Sequence, residues 1–235
     1  MSTSAALAVV LIVLVAVNIW VYRGPRHAHV VTGPLAAAAL LLVARSAGLS
    51  WSELGLSRPA LTRGAVAAAA AAVLVAAAYA VALAIPAARG AFRDSRYRLR
   101  AGPALATALL AVPLATVVFE EVAFRGVLWG LVAHDHGAAW ATAVSSVLFG
   151  LWHVLPALAA ARTNAALRAR RRSVLLPVLG TVLFTAVAGV VFAELRRRTG
   201  SLVAPAGLHW ATNGFGVLAS AWVWAVSRPA PRASA

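Results

Sequence analysis

The 235-residue chain has no cysteine and no lysine, and its acidic residues are few enough to name: Glu53, Asp94, Glu120, Glu121, Asp135 and Glu194. Without cysteine there is no disulfide, no thiolate nucleophile and no thiolate metal ligand, and no sign of the redox compartment. Charged residues make up 11% of the chain against 62% hydrophobic ones, and the mean hydropathy is +0.86. A soluble domain is about 45–50% apolar. The polar groups here are too few to cover a water-facing surface, so the shortage of charge excludes a soluble globular domain and makes lipid the solvent. The shortage of acid leaves a net charge of +15, carried by arginine alone. Such a balance raises the question of nucleic acid. The distribution excludes it, because the arginines cluster in short polar stretches between apolar runs and form no basic face. They suit loops beside an anionic leaflet. The alanine- and arginine-rich, lysine-free usage is that of a GC-rich bacterial genome. The expectation is a multi-pass protein of a bacterial cell membrane, whose surroundings are the lipid bilayer.

A membrane-crossing helix needs about 20 mostly apolar residues. Runs that serve are 5–22, 30–45, 65–86, 103–133, 138–160, 174–195 and 202–227. The first is too long, and too poor in preceding basic residues, for a cleaved signal peptide, and reads as a spanning helix. The expected fold is all-α: a polytopic membrane helix bundle of about seven transmembrane helices. It forms a single transmembrane domain over 1–227, followed by a disordered tail at 228–235. Residues 46–64 read as an interfacial loop or short amphipathic helix. The fourth run is long enough to tilt, or to break near Pro113. His134, Asp135, His136 and Gly137 read as a turn, and Arg196 to Gly200 as another. Counting arginines over seven spans by the positive-inside rule places the loop 89–100 and the stretch 162–172 in the cytoplasm and the N-terminus outside. An extra or re-entrant segment in 46–64 would change that count, which leaves the orientation open.

Polar groups inside such runs are costly, about 2.5–3.5 kcal/mol for a charge at the helix centre on insertion scales. They are therefore the informative residues. The fourth run holds Glu120, Glu121 and Arg125. Glu121 and Arg125 are spaced i,i+4 with the acid first, the favourable order for an ion pair. That leaves Glu120, about 100° around the helix, as a candidate general base. The fifth run places His153 one turn after Phe149. The seventh places His209 and Asn213 on one face, suited to interhelical hydrogen bonding, metal ligation or oxyanion stabilisation. Each feature alone fits structural glue. Together they account for nearly all ionisable groups within the apolar runs, and bare stability does not require that coincidence.

The three motifs, E-E-x-x-x-R at Glu120, Glu121 and Arg125, F-x-x-x-H at Phe149 and His153, and H-x-x-x-N at His209 and Asn213, resemble the CPBP intramembrane protease family. That family includes CAAX prenyl endopeptidases and bacterial proteins linked to bacteriocin processing and self-immunity. The resemblance covers about residues 105–215, and the N-terminal helices read as generic apart from the ELGL stretch at Glu53. It implies an intramembrane endopeptidase acting on a peptide or membrane-associated protein. It also implies that Glu120 and His153 activate a water, that His209 and Asn213 stabilise the oxyanion, and that Glu121, Arg125 and Phe149 support them. Family usage also includes metalloprotease chemistry, which would make Glu120, His153 and His209 candidate ligands of a divalent metal such as Zn²⁺. The spacing is not the H-E-x-x-H pattern of zinc peptidases, and the asparagine suits an oxyanion donor better than a ligand. Two rivals stand beside this reading: a non-catalytic scaffold or bacteriocin-immunity protein of the same fold, and a small transporter whose buried Glu and His relay protons. No internal repeat of the usual transporter kind is visible.

Overall fold

The computed structural model describes residues 1–25, 28–163 and 174–227, and every regular element among them is helical. The helices are α1 (Thr3–Arg23), α2 (His29–Ser46) and α3 (Arg58–Ala84), then, after a loop with two short 3₁₀ turns at Pro86–Phe92 and Ser95–Tyr97, α4 (101–136). There follow α5 (138–152), α6 (Val154–Thr163), α7 (Leu175–Thr199) and α8 (Val203–Val226). Arg26, the arginines at 168, 170, 171 and 172, and the 228–235 tail lie outside the described residues.

Among the described residues five stretches are long and apolar enough to cross a membrane: α1, α2, α3, the run Ala101–Ala159, and α7. The run Ala101–Ala159 supplies two legs. Gly137, at φ 83° and ψ 171°, interrupts the helix, and the legs then pack antiparallel. Trp129 Nε1 donates to Thr142 Oγ1 at 3.2 Å and Ser145 Oγ to the Phe124 carbonyl at 2.8 Å, so partners climb one leg as they descend the other. The helix α8 interrupts its apolar run with His209, Trp210 and Asn213. Its length of 24 residues still corresponds to about 36 Å of helix, enough to cross.

Of the two expectations for the fourth run, a tilt or a break near Pro113, the break does not occur. Instead α4 continues through three segments with i→i+5 hydrogen bonding, Thr107–Ala111, Pro113–Val117 and Glu121–Leu128. Proline has no N–H to give, and in that bonding pattern its acceptor would be Ala108 O. The vacancy is filled from α8, where Trp210 Nε1 donates to Ala108 O at 2.9 Å. Lipid cannot satisfy such a carbonyl, so a neighbouring helix must.

Helices approach closely where side chains vanish. A Cβ on Gly207 of α8 would lie 2.3 Å from Ala68 Cβ of α3, and one on Gly150 of α5 would lie 2.7 Å from the Val182 carbonyl of α7. Such small-residue contacts let backbones touch where the solvent offers no hydrophobic drive to associate. Around the bundle large apolar side chains point outward: Leu42, Leu74, Phe184 and Leu176 are 71–77% exposed. This would be an aggregation-prone surface in water and is the expected surface in lipid.

Two loop expectations change. Residues 47–57 form turns that lead directly into α3 at Arg58, with no separate amphipathic helix. Arg196 is not part of a turn. It lies in the last turn of α7, which ends at Gly200 in the left-handed conformation (φ 67°) with its N–H on Arg196 O at 2.8 Å. The Arg196 guanidinium is buried over the Trp129 ring, 4.1 Å from its centroid. Its Nε donates to Arg125 O at 3.1 Å and its Nη2 to the Glu53 carbonyl. One side chain thus ties α7, the 47–57 loop and the centre of α4 together.

Candidate active site

The site is built where α4 passes from an α-helical turn ending at Glu120 into the i→i+5 segment Glu121–Leu128. Glu120 and Glu121 are adjacent, both buried, and their carboxylates reach opposite nitrogens of the same imidazole. His209 Nδ1 lies 2.8 Å from Glu121 Oε1, and His209 Nε2 lies 3.8 Å from Glu120 Oε2. Glu121 Oε1 also accepts from Arg125 Nη1 at 3.1 Å. An ionised carboxylate only accepts, so Nδ1 of His209 carries the hydrogen.

Arg125 is fully buried, and its Nε and Nη2 have no hydrogen-bond partner among the described residues. Aromatic faces take their place. The guanidinium carbon lies 3.9 Å from the ring centroid of Phe149, 4.8 Å from that of Phe192 and 5.9 Å from that of Phe124. A desolvated cation–π contact is worth about 2 kcal/mol or more. This cage and the Glu121 pair explain how a guanidinium survives at this depth.

Phe149 is the hub. Its ring meets His153 edge-on at 4.7 Å and His209 at 6.1 Å, and Phe192 stacks on His209 at 5.2 Å. The two histidines therefore flank one phenyl ring. His153 itself is half-buried, where α5 gives way to α6, and its Nδ1 lies 2.8 Å from the Phe149 carbonyl. A carbonyl can only accept, so this contact places hydrogen on Nδ1 and leaves Nε2 with its lone pair. Asn213, one turn beyond His209, is exposed and stands outside the buried cluster.

Glu120 is not unpartnered, as the spacing had suggested. Trp152 Nε1 donates to its Oε1 at 3.0 Å, while Oε2 is buried with no hydrogen-bond partner among the described residues. Trp152 is in turn held from α1. Pro156 cannot donate to the Trp152 carbonyl four residues earlier, and Asn18 Nδ2 does so at 2.9 Å. One turn on, Tyr22 Oη donates to the Leu155 carbonyl. Sequence reasoning missed Trp152, Asn18, Phe192 and Arg196. The proline four residues after Trp152 was a readable signal for an orphaned carbonyl, and Asn18 and Tyr22 at i,i+4 were a readable polar stripe on an apolar helix.

The residues do not fit a bound metal. Among the described residues no three His, Asp or Glu side chains form a group that could hold an ion. The two His209 nitrogens face separate carboxylates, and the His153 Nδ1 faces a backbone carbonyl. No reaction step is therefore routed through one.

Residues 102–215 match the family model described as type II CAAX prenyl endopeptidase Rce1-like. No curated protein and no solved structure matches the chain. The match ends two residues past Asn213 and spans all three motifs, and it leaves α1 to α3 outside.

Proposed function

We propose that this multi-pass membrane protein, whose residues 102–215 match the Rce1-like family of type II CAAX prenyl endopeptidases, hydrolyses a peptide bond of a membrane-associated peptide or protein, with Glu120 as general base. The carrying observation is the Oε2 atom of Glu120, buried, without a partner among the described residues, and 3.8 Å from His209 Nε2. Two polar atoms at that separation can both bond one oxygen placed between them, at about 3 Å from each.

Water held there gives a proton to Glu120 Oε2, and its oxygen adds to the scissile carbonyl carbon. The carbonyl oxygen becomes an oxyanion. The C–N bond then breaks as the proton on Glu120 passes to the leaving nitrogen. In this reading His153 Nε2, left with its lone pair when the neutral ring gives its Nδ1 hydrogen to the Phe149 carbonyl, shares in polarising the water. His209 donates to the oxyanion through Nε2, which requires hydrogen on both ring nitrogens. The two carboxylates beside the ring offset the resulting charge. Asn213 supplies a second donor once substrate covers it. A buried, preorganised donor set of this kind is worth several kcal/mol, because water is excluded while charge develops. Glu121 and Arg125 position His209 rather than touch substrate.

The test uses purified protein in lipid nanodiscs and a quenched fluorescent peptide ending in a farnesylated CAAX box, with its unprenylated counterpart as a second substrate. Glu120→Gln keeps the shape and removes the base, and turnover should fall by about 10²–10⁴-fold. Exhaustive chelation should leave wild-type turnover unchanged, because the proposed water activation by Glu120 uses no ion. Wild-type protein that cleaves neither peptide nor any membrane protein in a proteome-wide mass-spectrometric comparison, or Glu120→Gln protein as active as wild type, would favour the scaffold reading.

A further inference from the structure

We propose that the cleft between α3 and α8, with the arginine-rich loop at its end, binds one anionic glycerophospholipid: an acyl chain lies in the cleft and the phosphate lies against Arg89. The cleft is about 290 Å³ and opens sideways out of the bundle; Ala76, Ala80, Leu83, Phe215, Ala219 and Trp222 line it. That volume is at the small end of ligand sites, about 300–1,000 Å³. From Ala76 to Leu83 it runs about 10 Å along α3, inward from the helix end. Small residues make it, and a clamped ring keeps it open. Tyr79 stands in its wall with its hydroxyl donating to Thr212 O at 2.8 Å, and its ring packs on Phe92 at 5.6 Å and Phe215 at 6.4 Å.

Charge decides which lipid. The loop that follows α3 carries Arg89, Arg93, Arg96, Arg98 and Arg100 against a single carboxylate, Asp94. Asp94 is already engaged by Arg96, Nη2 to Oδ2 at 2.6 Å, so among the described residues the other four arginines have no carboxylate partner. They are not loose. Arg89 stands at the cleft's end: its Nε donates to Leu83 O at 2.7 Å and its guanidinium covers the Trp222 ring at 5.4 Å. Leu83 and Trp222 both line the cleft. Beside it Arg98 covers Trp224 at 5.0 Å, and Trp224 Nε1 and Ser220 Oγ both donate to Asp94 O, at 3.0 and 3.2 Å, which anchors the loop to α8. Cations held in place by tryptophans at the helix ends complement a phosphodiester, and a zwitterionic headgroup would add a repelled ammonium. The cleft is separate from the candidate active site. At about 100° per residue its α8 face is centred some 130° or more around the helix from His209 and Asn213.

The experiment measures thermal unfolding of purified full-length protein in a neutral detergent, with added dioleoyl phosphatidylglycerol or dioleoyl phosphatidylcholine. Phosphatidylglycerol should raise the Tm by about 5 °C more than phosphatidylcholine does. Arg89→Ala, which removes the phosphate contact, and Ala80→Phe, which fills the cleft, should each reduce that difference by more than half. Arg63→Ala, at the opposite end of α3, should preserve it. Equal shifts for the two lipids overturn the proposal. So does an Arg63→Ala effect as large as that of Arg89→Ala, which would mean diffuse charge attraction, and so does an Ala80→Phe protein that keeps the full difference, which would place the lipid elsewhere. Native mass spectrometry of wild-type protein in an equal mixture of both lipids keeps the test decisive if a variant fails to fold. One retained phosphatidylglycerol per chain supports the site, and unselective retention overturns it.

Discussion

Replacing Trp152 by phenylalanine isolates a single hydrogen bond. The indole packs against Phe119 and Phe124 with ring centroids 5.7 and 5.8 Å away, and a phenyl ring can keep most of that contact. What is lost is the N–H that holds Glu120 Oε1 at 3.0 Å. Hydrogen bonds to charged groups contribute about 1.5–3 kcal/mol. If Glu120 is the base, its bound rotamer matters in the transition state, and the loss should appear in kcat. At about 1.4 kcal/mol per factor of ten, turnover should fall roughly 10- to 150-fold. The Michaelis constant should stay within about threefold, because Trp152 acts on the carboxylate and not on substrate. The assay is steady-state cleavage of the fluorescent peptide in nanodiscs, with thermal unfolding measured on the same preparation. Trp140→Phe serves as the control, since Trp140 is 65% exposed and far from the cluster. A Trp152→Phe protein with kcat within twofold of wild type would refute the reasoning, as would an equal loss in Trp140→Phe.

Asn18→Leu should lower kcat by about tenfold with helicity unchanged, because the orphaned Trp152 carbonyl releases the helix end that carries both Trp152 and His153; the same peptide assay reads it, and Asn18→Gln is the rescue to compare. Arg125→Met should destabilise the fold by about 3–5 kcal/mol in SDS-titration unfolding, since it leaves the Glu121 carboxylate buried beside His209 alone. Arg125→Lys should not rescue it fully, because an ammonium does not match the three phenyl faces as a planar guanidinium does. The Glu53 carboxyl is lowered to about 2, first by the Ser50 backbone N–H, then by the Ser50 hydroxyl and by His134 at 3.0 Å. A depressed folded-state value means its contribution is complete above the unfolded value of 4.5 and is lost as pH falls from there towards about 2. Solvent screening keeps that contribution to about 1 kcal/mol or less. Wild-type stability minus that of Glu53→Gln should therefore shrink between pH 5 and about pH 2 in thermal scans.

Composition alone determined the solvent. With 11% charged residues and six acids, the chain has to sit in lipid, and in lipid a helix satisfies its own backbone, so the all-helical fold was legible from the apolar runs. The pairing of Glu121 with Arg125 was legible too, because i,i+4 spacing is a local geometric fact. The same locality explains what stayed hidden. Which carboxylate holds His209 Nδ1 depends on the rotation and height of α8 against α4, and those are set by contacts such as Trp210 on Ala108 that no single-helix pattern encodes. Pro113 and Pro156 announce orphaned carbonyls in the sequence. Only the packed bundle decides that Trp210 and Asn18 fill them, and only the bundle draws Arg196 off the membrane surface to bond the backbone of Arg125. Helical periodicity states which residues share a face, and tertiary packing decides what each face meets.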